Sequence, residues 1–208
     1  MAAARTLVIF VKAPILGRVK RRLGAGIGMV AALGFYRRTT AELVKRMGRD
    51  PRWRTVLAVS PDTYVRAGRF WPGDIAREAQ GAGDLGARMG RALARHAGRG
   101  PVVLVGSDSP ALGARQVWQA FQALGRHDCV FGPATDGGFW LVGTSRKPGR
   151  TLFQGVRWSG PRTLSDTLAN IAATTRIAML APESDVDDAE GYRRFRISRA
   201  SGARSGVA

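Results

Sequence analysis

Thr6-Leu-Val-Ile-Phe-Val11 runs directly into Lys12-Ala-Pro-Ile-Leu-Gly-Arg-Val-Lys-Arg-Arg-Leu23. Five of the first six residues, Leu7 to Val11, are apolar at consecutive rather than alternate positions, and most of the six are β-branched. Such a run reads as a strand buried on both faces. It is too short for a signal peptide core, no small-residue cleavage site follows it, and Lys12 and Pro14 come next. The second stretch gathers Lys12, Arg18, Lys20, Arg21 and Arg22 into one predicted loop at the strand's carboxyl end. In open α/β sheets that end faces the ligand crevice.

Outward from this point, apolar runs and amphipathic stretches alternate. A helix is expected over 28–47, where Val30, Leu33, Leu43 and Val44 fall at helical spacings. Strands are expected over 54–59, 74–80, 101–105, 129–131, 139–142 and 177–180. Further helices are expected over 85–97, 114–124, 161–172 and 188–195, with Asp84 placed to cap the first of these. Strands alternating with helices imply crossovers and a mainly parallel sheet covered on both faces, an α/β class. The 208 residues suit one domain over 1–195, followed by a flexible tail over 196–208 rich in Arg, Ser and Gly.

The composition is ordinary at 45% hydrophobic and 23% charged, and no apolar run approaches the roughly 18 residues of a membrane helix. The single Cys129 excludes an internal disulfide framework and a cysteine-based zinc site, so a cytoplasmic location is the default expectation. Charge is the unusual quantity: 33 basic against 15 acidic residues, a formal +18. A nucleic-acid-binding domain would need these gathered on one face. Four are lysines and the rest are arginines scattered along the chain, which favours a small anionic substrate over nucleic acid.

Four clusters carry candidate chemistry. In the loop after the first strand, Gly17 permits a turn other residues resist, and the cations can hold phosphates. The Gly-Lys-Ser/Thr ending of a Walker loop is missing, and a solvated basic loop is the simpler alternative. In Gly106-Ser-Asp-Ser-Pro110, Asp108 ends a buried strand and suits a hard cation, or else caps the next helix. Asp136-Gly137-Gly138 permits close approach to a ligand, or simply turns a hairpin. In Asp185-Val-Asp-Asp188, two aspartates two apart on extended chain share a direction and could share a metal. The other reading is a cap for the final helix, by Asp187 or Asp188. Gln80, Asp84 and Arg88 flank the Gly-rich turn 81–86 and could reach a base or sugar. Trp158 could line an acceptor pocket, and neither His96 nor His127 is assigned a role.

Taken in order, Lys-Ala-Pro-x-x-Gly-x-Val-Lys-x-Arg-Leu, Gly-Asp-Leu-Gly-x-Arg-Met, Gly-Ser-Asp-x-Pro, Gly-Pro-x-x-Asp-Gly-Gly and Asp-Val-Asp-x-x-Glu resemble the bacterial DUF2064 family. That family is glycosyltransferase-like, with the GT-A (nucleotide-diphospho-sugar transferase) fold, a three-layer α/β/α Rossmann-like sandwich. The chain is also distantly similar to guanylyltransferases of coenzyme F420 synthesis. The resemblance implies that Lys12, Ala13, Pro14, Gly17, Arg18, Lys20 and Arg22 hold nucleotide phosphates. It implies that Asp108, Asp185 and Asp187 hold Mg²⁺ or Mn²⁺, and that Asp136, Gly137 and Gly138 lie on the acceptor side. Two positions depart from the pattern: Arg21 stands where the family has threonine, and Asp188-Ala-Glu-Gly191 replaces Thr-Pro-Glu-Asp.

The expected activity is metal-dependent transfer from a nucleotide-activated donor, most simply a nucleotide-sugar, to a small acceptor. Lys20 and Asp108 would act at the reacting centre, Lys20 and Arg22 offsetting charge on the leaving diphosphate. The alternative is nucleotidyl transfer from an NTP to an anionic phosphate or carboxylate acceptor, which the dense basic loop suits. In a parallel sheet the strand ends before Asp108 and before Asp185-Val-Asp187 open on one edge, so all three carboxylates are expected to meet there.

Overall fold

Side chains of the first strand divide alternately between two cores. A computed structural model describes residues 4–67, 70–107, 109–184 and 186–204. In chain order it contains β1 (Thr6–Lys12), α1 (Arg21–Ile27), α2 (Met29–Met47), β2 (Arg54–Ser60), α3 (Tyr64–Ala67), β3 (Ala76–Ala79), α4 (Leu85–His96), β4 (Val102–Gly106), α5 (Ala114–Ala123), β5 (Cys129–Pro133), β6 (Phe139–Thr144), α6 (Thr163–Ala169), β7 (Ile177–Met179) and α7 (Ala189–Arg204). Every residue of β1 before Lys12 is buried. Leu7, Ile9 and Val11 enter one core, with Leu43, Val44 and Met47 of α2 and Val117, Ala120 and Phe121 of α5. Val8 and Phe10 enter the other, with Met89, Ala92 and Leu93 of α4 and, more loosely, Leu164 and Leu168 of α6. A side-chain period of two on a strand with helices on both faces requires this division.

The sheet order is β3-β2-β1-β4-β6-β5-β7. β1 pairs in parallel with β2 and β4, β2 with β3, and β5 with β7. β6 is antiparallel to both β4 and β5, so every other strand shares one direction. This is a mainly parallel α/β sheet of the kind the resemblance implies. The chain moves outward from β1 to β2 and β3, then crosses back to place β4 on the other side of β1. The order reverses between β1 and β4, and such a switch point opens a crevice beyond the strand ends. Because β6 runs the other way, the β5–β6 turn lies on that same edge.

Three elements differ from the periodicity-based expectation. The basic loop ends early, because Arg21 and Arg22 open the helix α1, whose Gly24 and Gly26 hide it from a propensity reading. The four-residue α3 is too short to leave a periodic signal. Helix α7 runs past 195 to Arg204. Among the described residues, no helix is long and apolar enough to cross a membrane.

The segment leading into α6 is fastened by one ion pair. Arg157 donates from Nη2 to Asp166 Oδ1 at 2.6 Å and from Nε to Oδ2 at 2.8 Å, and its backbone N–H reaches Oδ2 at 3.1 Å. The Arg157 guanidinium beside Asp166 holds its carboxyl down to about 2. An unfolded aspartate titrates near 3.9, so the pair's stabilisation is present above about pH 4 and is lost as pH falls toward about 2. Asp166→Asn should therefore lower the urea midpoint by an amount constant from about pH 8 to pH 5 and shrinking below about pH 4. A difference that persisted unchanged at about pH 2 would show that the carboxylate does not fasten this segment.

Candidate functional site

The late aspartate motif is anchored by the valine between its acids. Val186 is buried against Leu23 of α1 and Ala32 and Phe35 of α2, with Tyr192 and Phe195 of α7 closing over them. Phe35 meets the Tyr192 ring edge-on at 5.2 Å and the Phe195 ring at 5.8 Å. Alternation along extended chain then turns Asp187 away from this small core. Asp188 is the helix cap: its Oδ1 accepts the Gly191 N–H at 2.8 Å.

Asp187 instead meets Lys20, 167 residues away in sequence, with Nζ to Oδ1 at 2.6 Å. The Lys20 side chain is only 5% exposed and that of Asp187 45%. Burying an ammonium without an anion is costly, and Asp187 supplies a carboxylate to Lys20 at this position. The lysine expected to hold phosphate and one carboxylate expected to hold metal thus share one point at the sheet's carboxyl edge. Asp108 and Asp185 lie outside the described residues. Among the described residues no three His, Cys, Asp or Glu side chains gather as a metal cluster.

Around this pair the loop is held by its backbone. Ala13 N–H donates to Ser60 O at 2.7 Å and Arg18 N–H to Ile15 O at 3.0 Å. Gly17 has φ +72°. Ala13 and Val19 are buried, which leaves Lys12, Arg18, Arg21 and Arg22 exposed. None of these four side chains pairs with a described residue. Tyr36 was not singled out by the sequence, yet it clamps the switch point. Its hydroxyl accepts from Lys12 N at 2.8 Å, donates to Lys12 O at 3.0 Å and lies 3.3 Å from Ser107 Oγ. The residue before Asp108 is therefore tied to the end of β1. A tyrosine within an amphipathic helix gives no sequence signal for this.

The Gly-rich turn forms a second part of the edge. Gln80 is buried, and its amide donates to Val11 O at 3.2 Å and Ala58 O at 2.9 Å while its oxygen accepts from Arg88 at 3.1 Å. The geometry gives Gln80 and Arg88 a role in joining the ends of β1, β2 and β3. Asp84 caps α4, accepting from Ala87 N at 2.8 Å. Arg91, also unforeseen, holds the turn through Gln80 O at 2.6 Å and Ala82 O at 2.8 Å.

Gly86 connects this turn to the expected acceptor side. A Cβ there would lie 2.7 Å from both Phe153 Cβ and Trp158 Cζ2. Trp158 also meets Phe139 edge-on at 6.4 Å, and its buried indole N–H has no hydrogen-bond partner among the described residues. Asp136 Oδ1 accepts the Gly138 N–H at 2.9 Å. Gly137 has φ +87°, and a Cβ there would lie 2.3 Å from Pro161 O. Both readings of the Gly-Gly pair are compatible with this turn, which seats the hairpin on the segment carrying Trp158. His96 pairs with Glu78 at 2.9 Å and His127 bonds Ala123 O at 3.0 Å, so both are committed within the fold.

Residues 43–160, more than half of the chain, match the family described as an uncharacterized protein conserved in bacteria, DUF2064. The chain belongs to the DUF2064 family. No curated protein is found similar to it. Among solved structures, a protein of Desulfovibrio desulfuricans G20 assigned as a nucleotide-diphospho-sugar transferase superposes with TM-score 0.76 at 28% identity, over 88% of this chain and 82% of that one. The 4-diphosphocytidyl-2C-methyl-D-erythritol synthase of Anaerococcus prevotii DSM 20548 gives TM-score 0.59 at 10% identity, over 92% and 95%. Glucosyl-3-phosphoglycerate synthase of Mycobacterium tuberculosis, in complex with Mg²⁺ and uridine-diphosphate, gives 0.50 at 12% identity, over 88% and 70%. At the two lower identities the likeness is one of fold.

If Lys20 depends on Asp187, the two should be energetically coupled. A double-mutant cycle with Lys20→Met and Asp187→Ala, read by urea unfolding, should give a coupling of roughly 1–3 kcal/mol, with the double variant more stable than the sum of the single losses predicts. Additive losses would show that the pair is not what holds the lysine inside.

Proposed function

We propose that this DUF2064 protein is a metal-dependent transferase acting on a nucleotide-activated donor, a nucleotide-sugar in the first instance. The observation that carries the reading is the Lys20–Asp187 pair at the carboxyl edge, beside four exposed cations without a described partner. A diphosphate is the anion that uses such a group of cations: Lys20 and Arg22 offset its charge, while Lys12, Arg18 and the backbone around Gly17 position it. Asp187, with Asp108 and Asp185, would hold Mg²⁺ or Mn²⁺, since carboxylate oxygens suit hard cations. Bound there, the cation would supply charge neutralisation to the departing diphosphate. Asp136, Gly137, Gly138 and Trp158 form the acceptor side, and Gln80, Asp84 and Arg88 shape the turn that borders the donor.

Lys20 has a specific task in this arrangement. Its ammonium is already desolvated, so an incoming phosphate oxygen meets a positive charge that needs no further stripping of water, in a setting where charge interactions are strong. A second reading, nucleotidyl transfer from an NTP, is favoured by the number of cations in the loop, because a triphosphate carries more charge than a sugar diphosphate. Both reactions occur on this fold.

A thermal-shift panel of NTPs and of UDP-, GDP- and dTDP-sugars, each with and without Mn²⁺, separates the readings. A matching nucleotide-sugar at about 100 times its Kd should raise Tm by roughly 5–10 °C, and only with the cation present. Lys20→Ala and Arg22→Ala should each weaken that ligand by about tenfold or more. A larger shift with an NTP than with any sugar nucleotide would favour nucleotidyl transfer, and no shift with any nucleotide would overturn both.

A further inference from the structure

The strands β1 and β4 separate at their carboxyl ends. Their parallel register closes with Phe10 opposite Gly106, where β4 stops, whereas β1 continues to Lys12, opposite Ser60 of β2. Successive residues of a strand send their backbone groups to opposite sides. Ala13 N–H reaches Ser60 O, on the β2 side, so the N–H and C=O of Lys12 face the side that β4 has left. Backbone groups at such a split need another partner.

One hydroxyl takes the place of the missing strand. Tyr36 Oη accepts the Lys12 N–H at 2.8 Å, donates to Lys12 O at 3.0 Å and lies 3.3 Å from Ser107 Oγ, on the first residue after β4. A phenolic hydroxyl has one hydrogen and two lone pairs, the set that serves all three groups. Tyr36 is 3% exposed and Ser107 4%, so the link is shielded from water. The preceding residue of α2, Phe35, lies in the core that holds Val186. Adjacent residues of one helix thus seat the late aspartate segment and fill the split between β1 and β4.

We infer that Tyr36 is a positioning residue whose hydroxyl couples cation binding to diphosphate binding. This coupling rests on the donor reading proposed above, in which the loop after Lys12 holds the diphosphate and Asp108 with the late aspartates holds the cation. The basic loop starts on one side of the hydroxyl, and the turn that leads in sequence into Asp108 starts on the other. A cation and a diphosphate in contact tighten each other only while the groups that hold them keep a fixed separation. Without the hydroxyl the loop still binds the diphosphate alone, and the cation adds less to that binding.

The test is calorimetric titration of the full chain with UDP, GDP and dTDP, each in EDTA and in Mn²⁺, the most tightly bound of the three serving as probe. The quantity read is the ratio of Kd without Mn²⁺ to Kd with it. In the wild type this ratio should be about ten or more. Tyr36→Phe should leave the metal-free Kd within about twofold and lower the ratio about fivefold, the worth of one hydrogen bond. Ser107→Ala, which keeps both bonds to Lys12, should lower the ratio to a similar extent, and it decides the matter alone if Tyr36→Phe fails to fold. Met47→Ala, in the core beneath α2, should lower Tm at least as much as either and leave the ratio unchanged, a result that separates positioning from stability. A ratio preserved in both Tyr36→Phe and Ser107→Ala overturns the coupling while the donor reading stands. So does an equal loss of affinity with and without Mn²⁺, which would reduce Tyr36 to shaping the loop. A wild-type ratio near one, or no binding of any of the three nucleotides, overturns the metal-dependent donor reading and the coupling together.

Discussion

An ammonium whose side chain is only 5% exposed is costly to bury without an anion beside it, and in this protein an anion comes from Asp187, 167 residues along the chain. The Lys20–Asp187 pair therefore sets a condition on much of the fold. The segment after β7 must return to the loop after β1, and α1, α2 and α7 must build a small core for Val186 to hold it there. Asp188 must cap α7 so that Asp187 remains available. Val186 thus does the positioning, and Asp187 carries the charge.

The sheet makes that return possible. β1 and β4 are neighbours running in parallel, and β5 and β7 share their direction beyond the antiparallel β6. Ends of the strands that precede the basic loop, Ser107 and the late aspartates all open on one edge. Tyr36 and Gln80 then bind the edge together: one ties the end of β1 to Ser107, and the other spans backbone carbonyls of β1 and β2. Each joins backbone groups of a strand end to a side chain, Ser107 for Tyr36 and Arg88 for Gln80, which holds neighbouring strand ends together.

Much of the alternating order was legible along the chain, because continuous apolar runs and 3.6-residue spacings are local properties. The helix over 85–97 with Asp84 as its cap, and the strand that ends near Gly106, match within a residue or two. The short α1 and α3 were not legible: glycines dilute the propensity of the first, and four residues cannot show a period. In the candidate site, the basic loop and the late acids were visible as clusters of residue type. The roles of Tyr36 and Arg91 were not, since each acts through backbone groups outside its own helix. Gln80 was visible as a polar residue at a strand end, but its amide faces carbonyls of the sheet, a direction no residue type specifies.

By itself the sequence determined the α/β class, the parallel character of the sheet and the edge on which polar clusters would collect. Each follows from patterns whose physics acts over a few residues, namely burial on one or both faces of an element and the placing of polar groups at strand ends. Tertiary structure alone decided that Asp188 caps while Asp187 pairs, and that Lys20 is a partner of Asp187. Adjacent aspartates are chemically identical. What separates them is the direction each side chain takes once Val186 is buried, and that direction is fixed by packing between elements distant in sequence.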